Sequence, residues 1–377
     1  MSKDDDILDD ILGDISTEEN NKNIKKEEKE EIQEFIPGVG VDIGTSNIVV
    51  ARKTKDGNFV NKYHRDMLYP LEVSDESTDL LERSDYLYVK VSDTYYIVGE
   101  DAVKLVNAIG KGEVVRPMKD GLLNPDLKES SELLFYIIKA VVGDPIIENE
   151  PLRFSVPANP VDADIDNTFH QMVLTNFFKQ MGYSPKPVNE AMCVAYDCNP
   201  IAKSDEGDAQ LSGISISAGG GMTNIALSYK GMELKTFSVT KSGDYVDISA
   251  AKATGSSVSK VMKRKEKELD LSQMSMSDRV LSALYIYYQE VIERCIHYII
   301  KEFKESSSEM EGEIEIVVAG GTSMPKGYVG MFEDSLRKKE LPFDISQVRH
   351  SETPFNSVSQ GACIRAQADY KKQLKNK

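Results

Sequence analysis

The chain has 377 residues, which is enough for two domains with hydrophobic cores of their own. Its hydrophobic content of 40% is ordinary for a globular protein, and its net charge of −17 argues against nonspecific attraction to nucleic acid or anionic lipid. The sequence shows neither a secretory leader nor an apolar run near the ~20 residues that a membrane span needs. The four cysteines form no CxxC pair and no cluster with the four histidines, which argues against a zinc site and favours a reducing cytoplasm.

Residues 1–35 predict a disordered acidic tail, because they are rich in Asp, Glu, Lys and Asn. Within this tail the segment 5–15, DDILDDILGDI, places its isoleucines and leucines on one helical face, with aspartates opposite. Two interpretations stay open. The segment is either a solvated stretch that is occasionally helical or a short docking helix for a groove on a partner protein.

The folded part is expected to begin near Ile36, where turn residues start to separate apolar runs. Its first half predicts a strand–turn–strand unit at 38–53 and an insertion at 84–119 that contains short strands and a helix. A helix at 131–142, a strand at 152–158 and a longer helix at 166–183 follow, and a further short helix starts at Asn189. In the longer helix, Asp166 is the expected cap and Gly182 the expected stop.

The second half of the chain repeats this plan. It predicts a glycine hairpin at 214–229, a charged helical stretch at 243–270 and a long amphipathic helix at 278–305. A buried strand at 314–321 and two final helices at 327–339 and 356–374 follow. The segments VDIGTSNIVVA (41–51) and ISAGGGMTNIAL (216–227) are both strand–turn–strand loops with glycine and small hydroxyl residues at the turn. Two similar α/β halves, each with a glycine loop whose backbone N–H groups can approach phosphate, would clamp a nucleotide across a cleft.

Three separated motifs resemble those of the actin/Hsp70/sugar-kinase superfamily. DIGTSN (42–47), SAGGGMTN (217–224) and VAGGTSMPKG (318–327) are similar to its first phosphate, second phosphate and adenosine motifs, and they occur in the same order. VVRPMKDGLL (114–123) resembles a segment of bacterial actins of the MreB and magnetosome type. NEAMCVAY (189–196) is similar to the helix that carries a catalytic glutamate in MreB and Hsp70. The resemblance covers nearly all of the chain outside the tail.

This resemblance implies an α/β chain with the actin-like ATPase fold, in which two duplicated α/β domains with small inserted subdomains surround a nucleotide cleft. Domain I would span 36–188 with an inserted subdomain at about 84–119. Domain II would span 189–377 with an inserted subdomain at about 243–280, and its C-terminal helix would return to domain I.

The same resemblance implies the residues of the site. Asp42 would hold Mg²⁺ through water, and Glu190 would orient the attacking water, although a carboxylate there would also suit the first turn of a helix. Lys265 and Glu266, in the segment KRKEKEL, would reach the ribose and base of ATP or GTP, unless this segment is an ordinary solvated face. The phosphates and the nucleoside would contact the residues of the three motifs: Gly44, Thr45, Ser46, Asn47, Gly219, Gly220, Gly221, Met222, Thr223, Gly320, Gly321, Thr322, Ser323 and Met324.

Two positions depart from the family pattern. The second phosphate loop normally begins with Asp and, in MreB-type proteins, ends with an acid, whereas this chain has Ser217 and Asn224. A hydroxyl or an amide cannot act as a base at pH 7. We therefore expect nucleotide binding to be kept and hydrolysis to be slow.

The sequence thus predicts a cytoplasmic, actin-like protein that binds ATP with Mg²⁺, associates with itself into filaments and hydrolyses nucleotide slowly. Two other interpretations stay open: a stand-alone Hsp70-like ATPase domain that acts with partner proteins, and a small-molecule kinase of the same superfamily. Sedimentation at high speed with ATP, but not with ADP, would distinguish the filament from both.

Overall fold

The computed structural model describes residues 34–84, 86–109, 112–198, 211–304 and 313–375. The acidic tail predicted for 1–35 lies almost wholly outside the described residues, and so does its candidate docking helix at 5–15. No helix in the described part of the chain is long and apolar enough to cross a membrane.

Strands and helices follow one another in the pattern of a mixed α/β protein. The described strands are β1 (Phe35–Ile43), β2 (Asn47–Thr54), β3 (Phe59–Arg65), β4 (Leu68–Glu72), β5 (Tyr88–Val91), β6 (Thr94–Val98), β7 (Met118–Lys119), β8 (Leu122–Leu123), β9 (Glu150–Val156), β10 (Tyr183–Asn189), β11 (Gly213–Ala218), β12 (Thr223–Tyr229), β13 (Met232–Val239), β14 (Ile314–Ala319) and β15 (Ile345–His350). The described α-helices are α1 (Asp75–Arg83), α2 (Glu100–Ile109), α3 (Ser130–Val142), α4 (Thr168–Gln180), α5 (Glu190–Asp197), α6 (Gly243–Thr254), α7 (Val258–Glu268), α8 (Arg279–Phe303), α9 (Tyr328–Leu336) and α10 (Ser357–Lys375).

Two five-stranded sheets of equivalent topology form the centres of the two halves. The first has the order β10–β9–β1–β2–β3 and the second the order β15–β14–β11–β12–β13, so β1 and β11 occupy the same place. In each sheet three consecutive strands form an antiparallel ribbon. The fourth strand pairs in parallel with the first strand of that ribbon, and the fifth strand pairs in parallel with the fourth. The duplicated α/β plan predicted from the sequence is therefore confirmed.

Helices cover both sheets and bury their apolar residues. In the first half, Phe154 of β9 is fully buried, and Phe135 of α3 stacks on Phe177 of α4 with ring centroids 4.1 Å apart. In the second half, Phe237 of β13 packs edge-to-face on Phe303 of α8 at 5.3 Å. Burial of each such side chain contributes about 1.5–3 kcal/mol, so these contacts hold each half together.

The last helix, α10, packs against the first sheet and against α5 with its backbone close to theirs. A Cβ atom on Gly40 of β1 would lie 2.0 Å from the carbonyl oxygen of Ser359, and one on Gly361 would lie 1.9 Å from that of Cys193. Only glycine permits these two approaches. Helix α10 therefore connects the strand that precedes the first glycine loop with the helix that begins at Glu190.

The short strands and helix expected over 84–119 are β5, β6 and α2. They are joined by a strand that was not predicted, because the antiparallel sheet of order β4–β6–β5 also includes Leu68–Glu72. This strand contains Pro70, and a proline argues against a strand in the interior of a sheet. β4 lies at the edge of this sheet, where a missing N–H is tolerated.

Two helical segments differ from the prediction, one in its N-terminal cap and the other in being divided into two helices. The helix expected over 166–183 is α4, and Asp166 does not cap it but accepts hydrogen bonds from the backbone N–H and hydroxyl of Thr168. The charged stretch 243–270 contains two helices, α6 and α7, because Gly255 adopts a left-handed conformation with φ 67° after α6.

The loop between β9 and α4 is attached to the second half of the molecule. The backbone of Ser238, in β13, donates to the carbonyl of Asn159 at 3.2 Å and accepts from the N–H of Val161 at 3.0 Å. Asp162, next in the loop, pairs with Arg294 of α8 at 2.8 Å. The end of β9 is thereby tied to the second sheet.

Candidate functional site

A cleft with a volume of about 610 Å³ lies between the two halves of the molecule. This volume falls in the ~300–1,000 Å³ range of ligand sites. The turns after β1, between β11 and β12, and after β14 all line the cleft, so three motifs that are distant in sequence meet there. The predicted site residues that line it are Asp42, Gly44, Thr45, Ser46, Asn47, Glu190, Gly219, Gly220, Gly221, Met222, Lys265, Glu266, Gly320, Gly321, Thr322 and Met324.

Two predicted site residues, Thr223 and Ser323, lie behind the wall of the cleft. The hydroxyl of Thr223 shares a hydrogen bond with that of Ser242 at 2.9 Å, and the hydroxyl of Ser323 donates to the carbonyl of Gly320 at 2.8 Å. Side chains alternate along β12, so Asn224 lines the cleft where Thr223 cannot. The two hydroxyls brace the loops and do not line the cleft.

The first glycine loop is a tight turn between β1 and β2. The N–H of Gly44 donates to the carbonyl of Asn47 at 3.1 Å, and a Cβ atom on Gly44 would lie 2.7 Å from that oxygen. The hydroxyl of Thr45 accepts a hydrogen bond from the N–H of Gly121 at 3.0 Å. The segment 116–121, RPMKDG, is thereby held against the loop.

The second glycine loop is braced by the other two motifs. The N–H of Gly219 donates to the carbonyl of Met222 at 3.0 Å, which closes the hairpin. The carbonyl of Gly219 accepts from the hydroxyl of Thr322, in the adenosine motif, at 2.6 Å. A Cβ atom on Gly220 would lie 2.6 Å from the hydroxyl of Ser46, so the two glycine loops are in direct contact.

The adenosine motif turns sharply at the end of β14. Gly320 has φ 94°, and a Cβ atom there would lie 2.4 Å from the carbonyl oxygen of Ala218, so both conformation and space require glycine. A short 3₁₀ turn, Gly321–Ser323, follows it. Beyond the turn, the half-exposed Met324 and the aromatic Phe355 both line the cleft and provide apolar surface for a flat ring.

Asp42 and Glu190 place two carboxyl groups in the cleft. Asp42 Oδ1 accepts a hydrogen bond from the hydroxyl of Ser155 at 2.9 Å, and Glu190 Oε2 accepts one from Nδ2 of Asn224 at 2.9 Å. Burial raises the pKa of both carboxyl groups, and for Glu190 the charge of Asp42 raises the pKa further. Hydrogen bonds to the charged forms act in the opposite direction without offsetting burial.

Glu190 begins α5, but it does not cap that helix. The side chain of Asn189 accepts from the N–H of Met192 at 3.1 Å and caps the helix in its place. Glu190 is only 8% exposed, and its carboxylate turns to the second hairpin. Glu190 therefore lies both in the first turn of α5 and at the wall of the cleft, so its role in the cleft stays a prediction.

Lys265 and Glu266 line the cleft in ion pairs with neighbouring side chains. Lys265 pairs with the buried Asp247 at 2.6 Å, and Arg65 forms a two-pronged contact with Glu266 at 3.0 and 3.1 Å. Arg65 also pairs with Glu100 of α2. Since Arg65 ends β3 and Glu266 lies in α7, this pair spans the cleft. Sequence reasoning missed Arg65 and Asp247, because isolated charges in a strand or helix carry no motif.

A second pair between the halves involves the RPMKDG segment. Arg116 donates to Asp244 of α6 at 2.7 Å.

Asp66, which follows β3, is fully buried, and burial raises its pKa to about 8. The charge of Arg116 and the N–H of Met118 lower that pKa by less than burial raises it.

The donor set of the cleft suits Mg²⁺ bound together with phosphate. Among the described residues, no group of three or more His, Cys, Asp or Glu side chains could hold a metal ion. Mg²⁺ does not require such a group, since it keeps several waters and binds one or two carboxylates with the phosphates of a substrate. Asp42 would provide such a carboxylate beside the two glycine loops.

Several solved structures share this fold. The MamK double helical filament gives a TM-score of 0.61 at 18% identity, over 87% of this chain and 98% of that chain. MreB5 of Spiroplasma citri bound to AMPPNP gives 0.60 at 16% identity, over 92% and 99%. The ethanolamine utilization protein EutJ from Carboxydothermus hydrogenoformans gives 0.51 at 15% identity, over 87% and 89%. This likeness confirms the actin-like fold.

No curated protein matches the chain in sequence. A sequence model of the Volactin family does match it, over residues 38–366. This match includes all three motifs that line the cleft, as well as the RPMKDG segment that is attached to the first of them. The protein therefore has an actin-like fold and belongs to the Volactin family.

Proposed function

We propose that this protein is a cytoplasmic, filament-forming cytoskeletal protein whose assembly depends on ATP or GTP bound with Mg²⁺ between its two halves. One observation carries the proposal: three motifs that are far apart in sequence line one cleft. Hydrogen bonds and backbone contacts join these motifs to one another. A ligand held by loops from both halves would bias their relative arrangement, which is what an assembly switch requires.

The glycine loops would bind the phosphates. The N–H groups of Gly44 and Gly219 close their turns, which leaves those at 45–47 and 220–222 to approach phosphate oxygens. Met324 and Phe355 would cover the base, and Lys265 would reach the nucleoside together with its neighbour Glu266. Each of these residues lines the cleft.

Asp42 and Glu190 would perform the polar work of the site. Asp42 would hold Mg²⁺ through water, and Glu190 would orient a water molecule toward the terminal phosphate. When bound, Mg²⁺ neutralises charge that develops on the phosphates. We expect hydrolysis to be slow, because Ser217 and Asn224 supply no further carboxylate to this arrangement.

Proteins of the same fold support self-association. The MamK structure is that of a double helical filament, and MreB5 of Spiroplasma citri is bound to AMPPNP in one structure and to ADP in another. By analogy, we propose that the present chain assembles with itself and that the state of its nucleotide controls assembly.

High-speed sedimentation with electron microscopy of the pellet tests this proposal. We expect filaments with Mg-ATP and few with Mg-ADP or without nucleotide. Asp42→Ala should weaken Mg-ATP binding and assembly, whereas Asp56→Ala, in the exposed β2–β3 turn, should leave both unchanged. Protein that binds and hydrolyses ATP but stays in the supernatant would favour the Hsp70-like interpretation. Failure of saturating Mg-ATP to raise the melting temperature would refute nucleotide binding itself.

A further inference from the structure

The carboxylate of Glu190 is held by the two side chains that replace the acids of the second phosphate loop. Nδ2 of Asn224 donates to Oε2 of Glu190 at 2.9 Å, and the hydroxyl of Ser217 also forms a hydrogen bond with this carboxylate. All three side chains are buried. Positions that the sequence marks as lost carboxylates are therefore hydrogen-bond donors to the carboxylate that remains.

The register of the hairpin brings both donors to one place. Ser217 of β11 and Asn224 of β12 are direct antiparallel partners, so their side chains lie on the same face of the sheet. Two residues before Ser217, the hydroxyl of Ser215 donates to the carbonyl of Ala191 at 2.7 Å, in the first turn of α5. A face of small polar side chains thus receives the start of the helix that carries Glu190.

The orientation of the Asn224 amide is fixed at both of its ends. Its Oδ1 accepts from the N–H of Ala158 at 2.9 Å while its Nδ2 donates to Glu190. Turning the amide over would set its oxygen against a carboxylate and its NH₂ group against an N–H. The side chain is fully buried, so water cannot replace either partner.

We propose that Asn224, assisted by Ser217, is a positioning residue that fixes the Glu190 carboxylate beside the phosphate loops. The amide also couples Glu190 to the boundary between the halves, because Ala158 directly precedes the loop that is tied to β13. This inference rests on the proposed function, in which Glu190 acts on a water molecule next to bound nucleotide.

Asn224→Asp provides the kinetic test. This variant keeps the shape and the acceptor for the N–H of Ala158 but replaces the donor to Glu190 with a second carboxylate. If the missing carboxylate at position 224 limited the rate, this variant would release phosphate faster than wild type, and that result would overturn the positioning role. Because the variant loses the donor that fixes Glu190, we expect kcat for phosphate release instead to fall roughly 10- to 100-fold, with KM for Mg-ATP changed by less than about twofold. Ser228→Ala is the matched control: it removes a buried hydrogen bond to Leu211, 3.0 Å long, from the same strand away from Glu190. Its kcat should equal that of the wild type.

A nucleotide-free double-mutant cycle provides a readout that does not depend on activity. Melting temperatures are compared for wild type, Asn224→Asp, Glu190→Gln and the double variant. In the double variant the amide and the carboxylate exchange places, so the hydrogen bond can form again. We expect the double variant to melt above Asn224→Asp alone, while its phosphate release stays low.

Three results would overturn the positioning role and leave the proposed function in place. They are additive melting temperatures in the cycle, phosphate release by Asn224→Asp at or above the wild-type rate, and a wild type that binds Mg-ATP without releasing phosphate. A wild type that gains no thermal stability from Mg-ATP would overturn the proposed function and this inference together.

Discussion

Replacing Asp66 with Asn should remove a pH dependence from the stability of the protein. Asp66 is fully buried after β3, and burial raises its pKa to about 8 from the ordinary value of 3.8. Between these two values the folded protein keeps the proton, whereas the unfolded chain releases it. The stabilising contribution is therefore fully present below about pH 4 and is lost as the pH rises to about 8.

The magnitude follows from linkage between protonation and folding. Where the folded state holds one more proton than the unfolded state, each rise of one pH unit lowers the free energy of unfolding by about 1.4 kcal/mol. From pH 5 to pH 7, both within this window, the stability of Asp66→Asn relative to wild type should rise by about 3 kcal/mol. A chain of this length has an unfolding entropy of roughly 0.7–0.8 kcal/mol/K, so this corresponds to a relative shift in melting temperature of about 4 °C.

The assay is thermal unfolding of both proteins at pH 5, 6 and 7, without nucleotide and at one ionic strength. Burial raises the pKa of Asp197 to about 6, so this residue also makes the melting temperature depend on pH, but equally in both proteins. The difference between the two melting temperatures at each pH therefore reports on Asp66. Asp56→Asn, an exposed control in the β2–β3 turn, should run parallel to wild type. If Asp66→Asn also runs parallel to wild type, then Asp66 is charged in the folded protein and the reasoning is wrong.

Three further substitutions probe other contacts. Arg65→Ala removes the contact with Glu266 of α7 that spans the cleft. A labelled nucleotide should therefore dissociate roughly two- to tenfold faster in a chase experiment. The control Arg83→Ala, on the exposed face of α1, should not change the rate. Gly320→Ala would place a Cβ atom 2.4 Å from a carbonyl oxygen of β11 and should abolish the thermal stabilisation by Mg-ATP; retained stabilisation would contradict the role of this turn. Glu150→Ala would leave Arg52 without its buried carboxylate partner and should lower the free energy of unfolding in urea by about 3–5 kcal/mol; an unchanged free energy would contradict the contribution of this pair.

The glycine loops could be found from the sequence because their close backbone contacts require glycine. A loop that offers backbone N–H groups at short range needs glycines, and the segments around Gly44 and Gly220 show them at the end of a predicted strand. Their recurrence in both halves predicted the duplicated fold. The limits proposed for the two domains stay a prediction, and so do the roles of the residues in the cleft.

Contacts that depend on tertiary proximity could not be predicted in this way. Arg65 and Glu266 are about 200 residues apart, and nothing in either local sequence signals the other. Asn224 illustrates a partial case. Counting back from the glycine turn pairs it with Ser217, but only the packing of α5 shows that both donate to Glu190. Sequence reasoning therefore recognised a lost carboxylate and missed the donor that stands in its place.

The close contact between α10 and β1 imposes an order on events during synthesis. β1 is the first described strand to emerge from a ribosome, and α10 is the last described helix. Gly40 stays without its partner until the segment around Gly361 has been made, so one face of the first sheet is uncovered through most of translation. Contacts between such distant segments form slowly, and uncovered apolar strands are prone to aggregate. The nascent first half is therefore expected to need a holding chaperone until the last helix arrives.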